Sequence, residues 1–207
     1  IHAYIEKCGA RPSFLGLYGF PGSACISIND QVIHGIPSKD VVLQEGDLVK
    51  IDVGACKNGF HGDSARTFAC GRISEEAQRL LDTTRECFFR GAEHAVPGAR
   101  LGDIGAAVEE HAEKNGYGVV RDFVGHGVGR NVHESPDVPN YGKAGHGLRL
   151  REGMVIAIEP MINAGTYKVR TLDDGWTVCT LDGALSSHYE HTVAVTDDGP
   201  ILLTKVD

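Results

Sequence analysis

Apolar and polar positions change period several times along the chain. Residues 2–9 read as the end of a helix that Gly9 stops. Two short strands, 24–28 and 31–33, flank Asn29-Asp30, a hairpin-turn pair. A strand over 48–53, its polar ends exposed, leads to an Asn58-Gly59 turn and a return strand over 61–69. The period then lengthens: Leu80, Leu81, Thr84, Cys87, Phe88 and Gly91 fall at helical spacing, predicting a helix over 74–94 with Ser74 as its cap. Pro97-Gly98 breaks that helix. A second runs over 101–115, from Leu101 through Ile104, Ala107 and Val108 to His111, and Gly116 ends it. Further strands are expected near 119–124, 154–159, 166–171, 176–181 and 189–196, with Asp173-Asp174-Gly175 as a hairpin turn. The Gly- and Pro-rich stretch 134–149 reads as a structured loop.

An internal echo lies beneath this order. Leu43-Gln44-Glu45-Gly46 and the strand up to Asp52 correspond to Leu150-Arg151-Glu152-Gly153 and the strand up to Glu159, at an offset of 107 residues. Ile5-Glu6-Lys7-Cys8-Gly9 and Ala112-Glu113-Lys114-Asn115-Gly116 share the same offset. Two related halves about a pseudo-twofold axis follow, each giving carboxylates to a shared centre. The second half has a long helix before its second helix. The sequence shows no counterpart in the first half, so a helix is expected to be missing there by truncation or loss, leaving an apolar face to serve as a contact surface.

Composition narrows the function. At 207 residues and 42% apolar, one domain is expected. A net charge of -8 argues against nucleic-acid and anionic-membrane partners, and no apolar run is long enough to span a bilayer. Cys8, Cys25, Cys56, Cys70, Cys87 and Cys179 are scattered without a CxxC pair, which suits a reducing compartment, hence the cytoplasm.

The chemistry gathers at the ends of apolar runs. Asp52 and Asp63 lie on two strands joined by the Asn58-Gly59 turn, so both side chains can reach one point. His126 sits between Gly125 and Gly127, whose small size lets an imidazole approach a metal. Glu159 is fixed by Pro160, and Glu190 lies in the last apolar strand. Carboxylates converging in an interior imply bound cations, because unpaired burial is costly. The four carboxylates match two divalent cations in charge, and oxygen-rich ligation with a single histidine suits Mn, Fe or Co and tolerates Zn.

His34-Gly35-Ile36-Pro37, the Asp52 and Asp63 segment, Gly125-His126-Gly127 with His133, Ile158-Glu159-Pro160, Asp174-Gly175-Trp176 and Tyr189-Glu190-His191 together resemble the pita-bread metallopeptidases, in their methionine aminopeptidase branch (type I). The resemblance runs from about residue 1 to 203. It implies an α+β pita-bread fold: a pseudo-twofold pair of αβ halves, about 1–73 and 74–207 of one catalytic domain, with a curved, mostly antiparallel sheet and the first helix of the first half missing. It implies removal of N-terminal methionine by hydrolysis of the first peptide bond. In that pattern Asp52 binds one metal, Asp63 and Glu190 bridge the pair, and His126 and Glu159 complete the other. Glu159 also moves a proton, His133 donates to the substrate carbonyl oxygen, and His34 lies near the scissile nitrogen. Leu17, Phe20, Cys25, Val132 and Trp176 match the pocket for the first side chain. Tyrosine often stands in place of Leu17 and Phe20 in that family, phenylalanine in place of Val132, and glycine in place of Asn131, so this pocket is reshaped and its methionine preference could be looser. Implied substrates are peptides and nascent chains with a small second residue, met by a monomer near the ribosome. The alternatives are a broader aminopeptidase, a proline dipeptidase, or a weakly active binding module of the same fold.

Overall fold

In chain order the computed structural model, which describes residues 1–206, contains α1 (His2–Lys7), β1 (Arg11–Pro12), a 3₁₀ turn (Leu17–Gly19), β2 (Cys25–Ile28), β3 (Gln31–Ile33), β4 (Leu48–Lys57) and β5 (Phe60–Ala69). Two helices follow, α2 (Glu75–Ala92) and α3 (Leu101–Lys114), then β6 (Gly118–Val119), β7 (Gly125–Gly127), β8 (Glu134–Val138), β9 (Val155–Ile158) and β10 (Met161–Asn163). The chain continues through β11 (Val169–Thr171), β12 (Val178–Thr180), β13 (Ser186–His188), β14 (His191–Ala194) and β15 (Ile201–Leu202). No helix among the described residues is long and apolar enough to cross a membrane.

The helices form where the apolar stripe predicts. Ser74 Oγ accepts from Ala77 N at 3.1 Å and caps α2. Leu80, Cys87 and Phe88 of α2 and Ile104 and Val108 of α3 are fully buried. The helices approach closely at Gly91, where a Cβ would stand 2.8 Å from Val108.

The echo is structural as well as textual. Gly9 and Gly116 both take left-handed φ, 69° and 83°. Ala10 N donates to Ile5 O and Tyr117 N to Ala112 O, while Gly9 N donates to Glu6 O and Gly116 N to Glu113 O. Both helix ends are therefore Schellman caps with the same bonds. Gly46 and Gly153 are left-handed too, and Asp47 N to Gln44 O repeats as Met154 N to Arg151 O, each at 3.2 Å.

The ladders are antiparallel, as expected, and fall into four groups: β1-β4-β2 with β5 on β4, β13-β10-β6, β11-β12-β3, and β15-β14-β9-β7-β8. Several expectations need correction. The Asn29 turn exists, with φ 54°, yet β2 pairs with β4 and β3 with β12, so the turn carries the chain between sheets. The strand expected near 119–124 divides for the same reason, β6 joining β10 and β7 joining β8 and β9. Part of the 134–149 loop is β8, paired with β7. Lys50, inside β4, is 2% exposed, a burial that the polar character of its side chain does not predict.

Candidate metal centre

Local backbone chemistry sets each acidic side chain. Asn58 (φ 53°) and Gly59 (φ 83°) form the two-residue left-handed turn that joins β4 to β5. The resulting register pairs Asp52 with Ala65 and Gly54 with Asp63. Asp52 and Asp63 are thus diagonal neighbours on one face. Glu159 and Glu190 occupy a different kind of place. β9 pairs with β14 and β10 with β13, and the Glu159-Pro160 and Tyr189-Glu190 steps fall where the chain passes from one ladder to the other. Pro160 lacks an N–H, which loosens the ladder there. Glu190 N donates instead to Ala65 O at 2.8 Å, tying the break to β5.

The glycines beside His126 have a different reason from the one expected. A Cβ on Gly125 would stand 2.2 Å from Ala157 O, and one on Gly127 2.4 Å from Ser135 O. They let β7 lie close against neighbouring main chain, and that packing aims the His126 ring.

These groups meet at a cavity of about 300 Å³ whose wall includes Asp52, Asp63, His126, Glu159 and Glu190. Single ligand atoms of Asp63, His126 and Glu190 lie within 4.8 Å of one another. His126 Nε2 is 3.5 Å from Glu159 Oε1 and 3.9 Å from Asp63 Oδ2. Asp63 and Glu190 are buried, and Asp52 Oδ1 and Asp63 Oδ1 have no hydrogen-bond partner among the described residues. Among those residues no lysine or arginine pairs with the four carboxylates. Burial pushes the Asp63 carboxyl up to about 7. Burial and mutual repulsion raise Asp52, Glu159 and Glu190 well above the usual carboxylate range.

His126 adds a tautomer argument. Its Nδ1 lies 2.9 Å from the Gly127 carbonyl oxygen, which only accepts, so Nδ1 carries the hydrogen. Burial lowers its pKa and favours the neutral ring. The Nε2 lone pair then faces carboxyl oxygens, an arrangement that repels unless a proton or a cation stands between them.

The other candidate residues gather nearby. His34 and His133 line the same cavity, as do Leu17, Phe20, Cys25 and Trp176. Val132 packs behind, in one apolar cluster with Phe20 and Cys25. Phe20 meets Trp176 edge-on at 5.1 Å between ring centres. His133 lies edge-on to His126 at 4.4 Å. Burial and neighbouring histidines push His133 down to about 4. Two residues absent from the sequence-based set join them. Tyr18, at left-handed φ 51°, stacks on His133 at 5.9 Å. His188 is fully buried, with Nε2 3.8 Å from Glu159 Oε2.

Comparison with known proteins decides the family, because residues 1–197 match the profile of metallopeptidase family M24. The chain belongs to that family. This M24 chain is 59% identical over 203 residues to a methionine aminopeptidase of Clostridium perfringens, covering 98% of this chain and 81% of that protein. It superposes on the crystal structure of methionine aminopeptidase from Rickettsia prowazekii with a TM-score of 0.96 at 46% identity, covering 99% of this chain and 82% of that one. A prolidase from Pyrococcus furiosus matches less well, at TM-score 0.70 and 29% identity, covering 89% of this chain and 49% of that chain. The fold is the pita-bread α+β arrangement, and the branch is the type I-like methionine aminopeptidases. The activity is metal-dependent hydrolysis that removes N-terminal methionine, and the substrates are peptide N-termini.

Proposed function

We propose that Asp52, Asp63, His126, Glu159 and Glu190 together would hold two divalent cations. The observation that carries this is the gathering of four carboxylates, two buried and two half-buried, and a lone-pair-bearing Nε2 at one cavity without a cationic side chain. Four negative charges call for two divalent ions, since one would leave a net charge of about -2 in a dry site. Oxygen donors with one imidazole fit Mn, Fe or Co and accept Zn. When bound there, the cations supply Lewis acidity, acidifying water and polarising a carbonyl.

The side chains divide the remaining work. Glu159, on the cavity wall, takes a proton from water and passes it on. His133 is neutral near pH 7 and donates its N–H to the carbonyl oxygen as negative charge grows there. His34, also kept neutral by burial, stands ready for the scissile nitrogen. The substrate's free α-amine binds at this centre or its neighbouring carboxylates, so cutting is measured from the N-terminus. Leu17, Phe20, Cys25 and Trp176, with Val132 behind them, hold the first side chain in an apolar pocket. Methionine suits it, and a pocket lacking tyrosine hydroxyls at Leu17 and Phe20 discriminates by size alone, at roughly 1–3 kcal/mol per methylene.

The same reading has one catalytic domain with halves near 1–73 and 74–207, acting as a monomer on nascent chains in the cytoplasm beside the ribosome. A metal-free preparation titrated with Mn should bind two equivalents in a calorimeter. The loaded enzyme should cleave Met-Ala-Ser far faster than Leu-Ala-Ser and lose both activities on chelation. Saturation with full activity at one equivalent would remove the second ion. Equal rates on the two peptides would make the enzyme a broad aminopeptidase.

A further inference from the structure

Lys50 is 2% exposed. Its Nζ donates to the carbonyl oxygens of Asn29 at 2.8 Å and Ser186 at 2.9 Å. Among the described residues it has no carboxylate in ion-pair contact. A lysine buried on main-chain carbonyls alone costs stability relative to an apolar residue of its size. Its position explains what its bonds achieve.

In the ladder Lys50 lies between Ser27 of β2 and Thr67 of β5. Thr67 Oγ1 accepts from His188 N and donates to His188 O, both at 2.9 Å. Lys50 and Thr67 therefore reach across from the β4–β5 hairpin to the main chain at alternate residues, 186 and 188. β13 forms no ladder with either strand, so these side chains take the place of one. The series continues. Glu190 N donates to Ala65 O at 2.8 Å, and Thr192 Oγ1 accepts from Asp63 N and donates to Asp63 O, both at 2.8 Å. Residues 186, 188, 190 and 192 are thus lashed in order to Lys50, Thr67, Ala65 and Asp63. Lys50 closes the end of this seam. It also holds the Asn29 turn, which connects β2 and Cys25 with β3 and His34.

We propose that Lys50 is a positioning residue: its amino group fastens the segment entering Glu190, and the turn between β2 and β3, to the strand that carries Asp52. In this way it sets the spacing of carboxylates drawn from the two halves of the fold. The inference rests on the metal-ligand assignment proposed above.

The test compares wild type with K50M, which keeps the length and loses the donors, and K50Q, whose amide can still donate. Folding is read by circular dichroism, Mn affinity by calorimetry, and kcat and KM separately on Met-Ala-Ser. Folded K50M should lose about 10–100-fold in Mn affinity and in kcat, with KM within about threefold, and K50Q should recover part of the loss. In K50A, ammonium chloride should restore part of kcat, while tetramethylammonium, which has no N–H, should not. Folded K50M with Mn affinity and kcat within about twofold of wild type overturns the proposal. So does failure of K50M, K50Q and K50A all to fold, which makes Lys50 a folding residue only. Wild type that binds no Mn overturns the ligand assignment itself, and the positioning role falls with it.

Discussion

Histidine does different work at each of its positions around this cavity. His126 gives its Nδ1 hydrogen to Gly127 O and turns a lone pair to the carboxylates. His133, edge-on to it, is pushed down to about 4 by burial and by neighbouring histidines, so it reaches neutral pH as a donor of one N–H. H133A should therefore lower kcat by about 10²–10³-fold while leaving Mn stoichiometry and KM nearly unchanged. Parallel loss of bound metal in that variant would make His133 a ligand instead. Much of this set was legible in the sequence: Asp63 follows the Asn58-Gly59 turn, His126 lies between two glycines, Glu159 precedes a proline, and Asp52 and Glu190 lie in apolar strands within segments that carry the family resemblance. His188 and Lys50 were not. Each reads as an ordinary polar position in a strand, and only the packing of β13 against the β4–β5 hairpin shows that both are buried.

Strand interruptions are the corresponding device one level up. A run of apolar residues across 154–159 or 189–196 reads as one strand, since period alone does not register where a ladder changes partner. The structure breaks both runs at the same level, beside Glu159 and Glu190, and so aims two carboxylates at one point. The helices, the β4–β5 hairpin and the 107-residue echo were readable because their signals are local: a cap, a two-residue turn, a repeated Glu-Gly. The partition into four sheets depends on contacts between distant segments and left no such mark. Close packing of β7 supplies the test at this scale. Gly125→Ala puts a methyl group 2.2 Å from Ala157 O, against a main-chain atom that cannot rotate away. It should destabilise the protein by about 1–3 kcal/mol and weaken Mn binding by displacing His126. A G125A protein with wild-type melting temperature and Mn affinity would show that β7 has slack.

Across the whole molecule, the acidic centre couples metal binding to stability in a pH window that can be worked out. Burial pushes Asp63 up to about 7 in the fold, and burial with mutual repulsion raises Asp52, Glu159 and Glu190 well above the usual carboxylate range. In the unfolded chain they titrate near 4. Between those limits the folded state holds more protons than the unfolded one, so metal-free stability falls as pH rises. Other groups pull against this. His133 and His191, both near 4 in the fold, and His188, near 3, make stability rise with pH, but only below about 6.5 where the unfolded rings gain protons. Lys50, drawn down to about 7 by burial, opposes the trend above that pH with one proton. Several carboxylates outweigh a single lysine, so the metal-free melting temperature should drop from pH 6.5 to pH 8. Saturating Mn replaces the protons on the carboxylates while leaving Lys50 as it was, so the difference between loaded and metal-free protein isolates the centre. That difference in melting temperature should widen steadily from pH 6.5 to pH 8. A gain that stays constant across the range would mean that the carboxylates are already ionised in the metal-free fold, each with a counter-charge that the geometry of this cavity does not provide.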